Sequence, residues 1–288
     1  MLGPIVREAR PRQWIKNVLV FAAPGAAGFL DDPHYVWRTL AAFACLCLVA
    51  SGTYYWNDIL DRDKDRLHPT KRFRPIASGV LPVGTARVIG VGLLVAGVAL
   101  AWLLNWQTGL TVTGYVALTT SYSTYFKHVA VLDLAAVGLG FVLRAIVGGV
   151  VNDIALSSWF LLIITFGSLF IVSGKRYAEM VELGEGAAAT RRILQEYTLG
   201  YLRTVLAVTM GATMVTYCSW AFEVREISGG DWPFYELSIG PLLTALLRYG
   251  LVLERGEGGA PEEVFLADRV LQGLGLLWLI CVGLGVYV

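Results

Sequence analysis

The sequence predicts an all-α membrane protein, and three observations carry that prediction. Hydrophobic residues make up 56% of the 288 residues and charged residues only 16%, which is not the balance of a soluble globular domain. The apolar residues gather into nine segments of bilayer-spanning length. Lys and Arg concentrate in alternate loops, so the segments have a consistent orientation. The net charge of +1 carries no information; its distribution does.

The nine segments fall at roughly 14–30, 36–57, 83–105, 107–125, 131–150, 156–175, 199–222, 235–253 and 264–287. They form one polytopic domain over 1–288, with inner loops at about 58–82, 126–131 and 176–198. The first segment is short and is interrupted by Pro24 and Gly25. Arg7, Arg10, Arg12 and Lys16 ahead of AAPGAAG mimic a secretory leader. The many spans that follow favour a retained first span. With the N-terminus inside, the inner loops collect those four residues, Arg62 through Arg74, Lys127, Lys175, Arg176, Arg191, Arg192, Arg203 and Arg255. The outer side keeps essentially Arg38 and Arg225, beside Glu223, Glu226, Asp231 and Glu236. The loop after the sixth segment, GKRYAEMVELGEGAAATRRILQEY, is amphipathic enough for a short helix on the membrane face. Cys45, Cys47, Cys218 and Cys281 all sit inside apolar segments without ligand spacing, and read as small packing residues.

The chemistry concentrates between Asn57 and Gly79, NDILDRDKDRLHPTKRFRPIASG. Asn57, Asp58, Asp61 and Asp65 are spaced to share one helix face, while Asp63 lies off it. Three carboxylates on one stripe repel unless a cation sits between them. Hard oxygen ligands suit magnesium, which binds through one or two carboxylates plus substrate phosphates. The bases Lys71, Arg72 and Arg74 follow at once. Acids for a metal and bases for phosphate oxygens are what a diphosphate substrate needs. A charge-rich loop between spans is commonly just solvated, but this one starts at membrane depth, where ionisable groups read as functional.

Four further groups stand out. Lys175 and Arg176, with Tyr177 and then Glu179, sit at the inner end of the sixth segment. They are either positive-inside flanks or a phosphate grip, in which Arg binds bidentately and Lys as a point charge. Tyr122 and Ser123 precede Lys127, and Asp133 opens the fifth segment. Arg144 lies about 20 Å along that segment and needs a partner, a carboxylate or a phosphate. Arg12, Lys16 and Asn17 in RPRQWIKN either anchor the first segment at headgroups or reach the same site. His34, His68 and His128 lack ligand spacing.

The pattern Asn57-Asp58-x-x-Asp61-x-x-x-Asp65, followed by Arg74-Pro75 and Ser78-Gly79, resembles the UbiA superfamily of intramembrane prenyltransferases. Tyr122-Ser123 with Lys127 and Asp133 resembles that family's second characteristic region, and the resemblance covers essentially the whole chain. It implies a bundle of nine transmembrane helices around a central cavity open to the cytoplasm. It also implies magnesium on Asn57, Asp58, Asp61 and Asp65, with catalysis resting on Asn57, Asp58 and Asp61. Quinone and haem prenyltransferases of the family carry a second acidic motif after the sixth span. Here that place reads Gly174-Lys175-Arg176-Tyr177-Ala178-Glu179.

With RPRQWIKN and GKRYAE, the chain is similar to the branch of the family that serves actinobacterial cell-wall arabinan synthesis. That similarity implies phosphoribosyl diphosphate as donor and a polyprenyl (decaprenyl) phosphate as acceptor, in the plasma membrane with the site facing the cytoplasm. The phosphate ligands it implies are drawn from Lys16, Asn17, Lys71, Arg72, Arg74, Tyr122, Lys127, Arg144, Lys175, Arg176 and Tyr177. No nucleic-acid partner is expected; a homo-oligomer is compatible. Two other readings remain open: an isoprenyl-diphosphate-dependent aromatic prenyltransferase, and a transporter or lipid-binding scaffold, for which paired broken helices would be the sign. The acidic stripe makes one prediction directly. Asp58→Ala or Asp61→Ala is expected to abolish turnover with the fold intact, and near-normal activity in both would end the metal-site reading.

Overall fold

In lipid every backbone N–H and C=O must be paired within the chain, and a long apolar run meets that demand as a helix. The computed structural model describes residues 2–183, 192–229 and 232–288, and among them there are helices, turns and no strand. Arg191 and Asp231, and much of the proposed surface helix after the sixth segment, lie outside the described residues.

The chain opens with α1 (Leu2–Ala9), a 3₁₀ stretch (Pro11–Phe21) and α2 (Ala22–Ala26). Next come α3 (Pro33–Leu60), α4 (Arg62–Leu67), a 3₁₀ turn (Lys71–Phe73), α5 (Val83–Leu104) and α6 (Trp106–Thr124). A 3₁₀ turn (Phe126–His128) leads to α7 (Leu132–Val151) and α8 (Ser158–Leu183). After a 3₁₀ turn (Arg192–Glu196) come α9 (Leu199–Ser228), α10 (Phe234–Leu237), α11 (Ile239–Glu254), α12 (Pro261–Ala267) and α13 (Arg269–Tyr287).

Seven of these helical segments are long and apolar enough to cross a membrane: α3, α5, α7, α8, α9, the run Phe234–Glu254 and α13. This is a multi-pass membrane protein. Only 6% of the most apolar window of α13 is buried, so its outer side chains, Leu276 and Leu279 among them, are left for lipid.

The two remaining predicted segments differ for physical reasons. At 14–30 the chain forms a 3₁₀ stretch and the five-residue α2. Pro24 lacks a helical N–H, and Gly28, at φ 75°, turns the chain out. Segment 107–125 is a helix, α6, but its eight Thr and Ser side chains make it less apolar. Several of these hydroxyls bond back to the carbonyl four residues earlier, as Thr111, Thr119 and Ser123 do. Two helices also outrun their apolar cores. α8 continues past 175 to Leu183 because RYAEMVEL, though polar, is made of good helix formers. α9 ends at Gly229, which adopts φ 64° and donates its N–H to the Arg225 carbonyl.

The chain divides into two compact units. The first comprises Met1–Gly25, Phe29–Thr124 and Leu143–Ala155; the second comprises Ala26–Gly28, Tyr125–Val142 and Leu156–Val288. In the first, α3 and α5 approach through glycines. A Cβ on Gly52 would stand 2.6 Å from Leu94 Cγ, and one on Gly97 3.0 Å from the Cys45 carbonyl oxygen. Val20, Leu46, Val49, Val112 and Val147 form the core beside them. In the second unit, Phe170, Tyr177, Leu202, Tyr249 and Leu253 form a core between α8, α9 and α11. Tyr217 of α9 accepts from Trp278 of α13 at 2.7 Å.

The tightest contact of the first unit sets a test. A Cβ on Gly148 of α7 would fall 1.9 Å from the Val20 carbonyl oxygen. Backbone cannot yield as a side chain would, so Gly148→Ala should cost about 1–3 kcal/mol or more. Thermal unfolding in detergent should show a clear loss for Gly148→Ala and little change for Gly211→Ala, whose Cβ meets nothing within 4 Å.

Candidate functional site

The acidic stripe forms as the spacing requires. Asn57 and Asp58 lie in the last turn of α3, and Asp61 joins it to α4. The helical ladder passes through the junction: Asp61 N–H donates to Asn57 O at 2.9 Å and Asp65 N–H to Asp61 O at 2.8 Å. Asp58 and Asp65 are buried, at 3% and 4% exposure. Asp61 is half-buried.

The cation between these carboxylates is guanidinium. Arg74 Nη1 donates to Asp65 Oδ2 at 2.7 Å and to Asp58 Oδ1 at 3.1 Å. Arg10 Nη2 reaches both oxygens of Asp58, at 2.7 and 2.5 Å, with its guanidinium 4.8 Å from the Tyr54 ring centre. Arg74, a candidate phosphate ligand from the sequence, is held here by the carboxylates of Asp58 and Asp65. The loop that presents it is pinned. Arg74 takes the extended form that a following proline imposes. Two residues on, Ile76 is fully buried against Tyr55, Leu81 and Ala86.

α1 brings a further acid. Ile5 and Ala9 pack on the Tyr55–Ile76 cluster, and Tyr55 Oη donates to the Ile5 carbonyl at 2.8 Å. This leaves Glu8 1% exposed, with no hydrogen bond from a donor to either oxygen. Burial and the adjacent Asp58 carboxylate push Glu8 up to about 8, against the pull of Arg10 and Arg74. In the sequence Arg10 reads as a flanking charge, and Glu8 does not stand out. No local signal marks either, because their partner Asp58 is remote in the chain.

Elsewhere in this unit, Asn17 is buried rather than at headgroups. It donates to Cys47 Sγ at 3.3 Å and accepts from Arg144 Nε at 2.8 Å. Arg144 also donates to Tyr115 Oη at 2.6 Å. Lys16 and Lys71 are half-buried, Arg72 is exposed over the Phe73 ring, and Tyr122 is half-buried on α6.

The second unit has its own buried carboxylate. Asp133, fully buried at the start of α7, accepts from Arg176 Nε at 3.1 Å and from the Tyr197 hydroxyl. Tyr197 also accepts from the Val131 N–H at 2.6 Å, and Arg176 reaches Glu179 at 3.3 Å. Burial first, and Asp133 next, push the Tyr197 hydroxyl well up. Because α8 continues to Leu183, Lys175, Arg176 and Tyr177 lie inside a helix rather than at its end. Arg176 is 3% exposed between two carboxylates. Tyr177 donates to Glu254 at 2.7 Å and accepts from Arg203 at 2.7 Å. Lys175 and Lys127 are half-buried. A cavity of about 920 Å³ lined by Glu182, Arg248, Glu263 and Asp268 contains none of the residues singled out from the sequence.

The donor chemistry near Asp58 suits a divalent cation. Asn57 Oδ1 is buried without a hydrogen-bond partner, and it adds a hard oxygen to the Asp58 and Asp65 carboxylates. Among the described residues no three His, Cys, Asp or Glu are arranged to hold a metal ion. Arg10 and Arg74 lie on the Asp58 and Asp65 carboxylates here.

An all-helical chain of membrane-spanning segments, ending its first long helix in an Asn-Asp stripe, defines an intramembrane transferase of the UbiA kind. The chain belongs to the UbiA prenyltransferase family, which matches residues 18–284. It is 45% identical to a decaprenyl-phosphate phosphoribosyltransferase of Corynebacterium glutamicum, over 99% of this chain and 87% of that protein. It is 43% identical to the protein of the same description from Mycobacterium tuberculosis, over 99% of this chain and 95% of the relative. The fold is shared with a UbiA homolog of Archaeoglobus fulgidus solved with DMAPP and Mg2+. The TM-score there is 0.71 at 16% identity, over 98% of this chain and 97% of that one.

The buried pair of the second unit can be tested without substrate. Asp133→Ala leaves Arg176 without a main counter-charge, and breaking such a pair costs about 3–5 kcal/mol. Chemical unfolding should show that loss. The paired change Asp133→Leu with Arg176→Met should recover much of it, and equal losses in both would argue against the ion pair as the cause.

Proposed function

We propose that this protein transfers the 5-phosphoribosyl group from phosphoribosyl diphosphate to decaprenyl phosphate or a similar polyprenyl phosphate, releasing diphosphate. Identity of 41–45% along essentially the whole chain to relatives described as decaprenyl-phosphate phosphoribosyltransferases carries this reading. The sequence of α8 supports it. Gly174-Lys175-Arg176-Tyr177 stands where an isoprenyl-diphosphate enzyme would place a second acidic motif. By the same reading the enzyme is magnesium-dependent, lies in the plasma membrane with its N-terminus and site on the cytoplasmic side, and serves cell-wall arabinan synthesis. Nine spans would count Pro11–Ala26 and α6 with the seven apolar helices.

Asn57, Asp58, Asp61 and Asp65 would hold the cation, which neutralises charge on the departing diphosphate. Arg74, Lys71, Arg72 and Lys16 supply positive charge in the same unit for phosphate oxygens. Lys127 and Lys175 remain candidate phosphate ligands by charge. Arg176 is held in a buried network with Asp133, and Tyr177 bonds Glu254 and Arg203 at the surface. The donor C1–O bond breaks as the acceptor phosphate oxygen attacks C1 from the opposite face, giving inversion. No side chain is needed as a base, because a phosphate monoester with a second pKa of about 6 is mostly ionised near neutral pH. The chain contributes position and electrostatics.

Purified protein in detergent, given labelled phosphoribosyl diphosphate, decaprenyl phosphate and magnesium, should pass label into the organic phase. EDTA should stop the transfer. Transfer of an isoprenyl group to an aromatic acid in its place would overturn the donor assignment and leave the family intact.

A further inference from the structure

We propose that Arg10 is a donor-site residue that exchanges partners: it competes with the divalent cation for Asp58 and then binds the donor's phosphate oxygens. The inference rests on the donor-site reading above. Asp58 offers about four lone-pair positions, and guanidinium N–H groups use three. Oδ1 accepts from Arg10 at 2.7 Å and from Arg74 at 3.1 Å, and Oδ2 accepts from Arg10 at 2.5 Å. Magnesium demands near-octahedral geometry at about 2.0–2.1 Å, and a positive group on the same oxygens repels it. A cation that binds Asp58 therefore has to move a guanidinium.

Arg10 is the one placed to move. Arg74 is tied a second time, to Asp65 at 2.7 Å. Arg10 bonds Asp58, lies over the face of Tyr54 and acts electrostatically on Glu8, and its side chain is 27% exposed against 4% for Asp58. Its backbone marks the position independently. Arg10 lies at φ 52° and ψ 59°, the left-handed region that non-glycine residues avoid, between α1 and Pro11. Residues so held cluster where geometry serves function. The planar fork that grips Asp58 from both oxygens matches a phosphate equally well, so one bidentate anion replaces another.

The test reads two affinities whose shifts have opposite signs. Mn2+ binding to the full chain in detergent is followed by electron paramagnetic resonance without donor. Phosphoribosyl diphosphate binding is then measured at saturating Mn2+. Arg10→Gln should tighten Mn2+ by roughly threefold or more, because a competing charge has left Asp58. It should weaken the donor by about tenfold or more, because charge-assisted hydrogen bonds are lost. Arg10→Gly, which adopts the left-handed conformation freely, should show the same pair of shifts and covers a folding failure of the first variant. Mn2+ affinity that is unchanged or weaker, or donor affinity that is unchanged, overturns the inference, since a purely structural Arg10 gives one of those results. Wild-type protein that does not bind Mn2+, or whose binding Asp58→Asn leaves intact, removes the donor-site reading and this inference with it.

Discussion

Asp58 is 3% exposed at the end of a long apolar helix, and a carboxylate there is costly unless positive charge and hydrogen bonds reach it. Much of this end of the first unit meets that need. α1 docks on α3 through Ile5, Ala9 and the Tyr55 hydroxyl, and so brings Arg10 over Asp58. The loop after α4 is anchored by Ile76, which delivers Arg74 between Asp58 and Asp65. Glu8 adds a further buried carboxyl beside Asp58, pushed up to about 8 by its burial and by that neighbour.

The second unit solves a similar problem in a closed way. Asp133 is satisfied by Arg176 and the Tyr197 hydroxyl, all of them buried, and Arg176 has Glu179 as well. A pair this enclosed resists exchange, because parting it leaves an uncompensated charge in a low dielectric. At Asp58 the arginines are roughly a quarter exposed, so they can change partners in contact with solvent. Burial of the positive partner thus separates the two clusters, although both present as Asp–Arg: Arg176 is enclosed, and the arginines on Asp58 reach solvent.

The transferase chemistry asks little of any one side chain. In the proposed reaction the nucleophile is already an anion and the leaving group a diphosphate, so the requirements would be charge balance and alignment. On that proposal, an oxygen-rich stripe near basic loops would supply the first. Glycine-mediated packing of α3 against α5, and of α7 against Val20, supplies rigidity for the second.

What the sequence by itself determined is the membrane class, the positions of most helices, the family and the acidic stripe. α3, α5, α6 and α7 fall within about three residues of their apolar segments, because hydropathy reads lipid burial directly. Helix ends set by other forces escaped it. α8 and α9 continue as polar helices beyond the apolar run, and Pro11–Phe21 winds as a 3₁₀ stretch. The stripe was legible because i, i+3 and i+4 spacing is local. The partners of its acids were not. Arg10 lies 48 residues from Asp58, and Arg176 lies 43 from Asp133. Nothing in local spacing says which of 23 basic residues a buried carboxylate meets. Only packing of α1 on α3, and of α7 near α8, decided that, because ion pairing depends on distance in space and not along the chain.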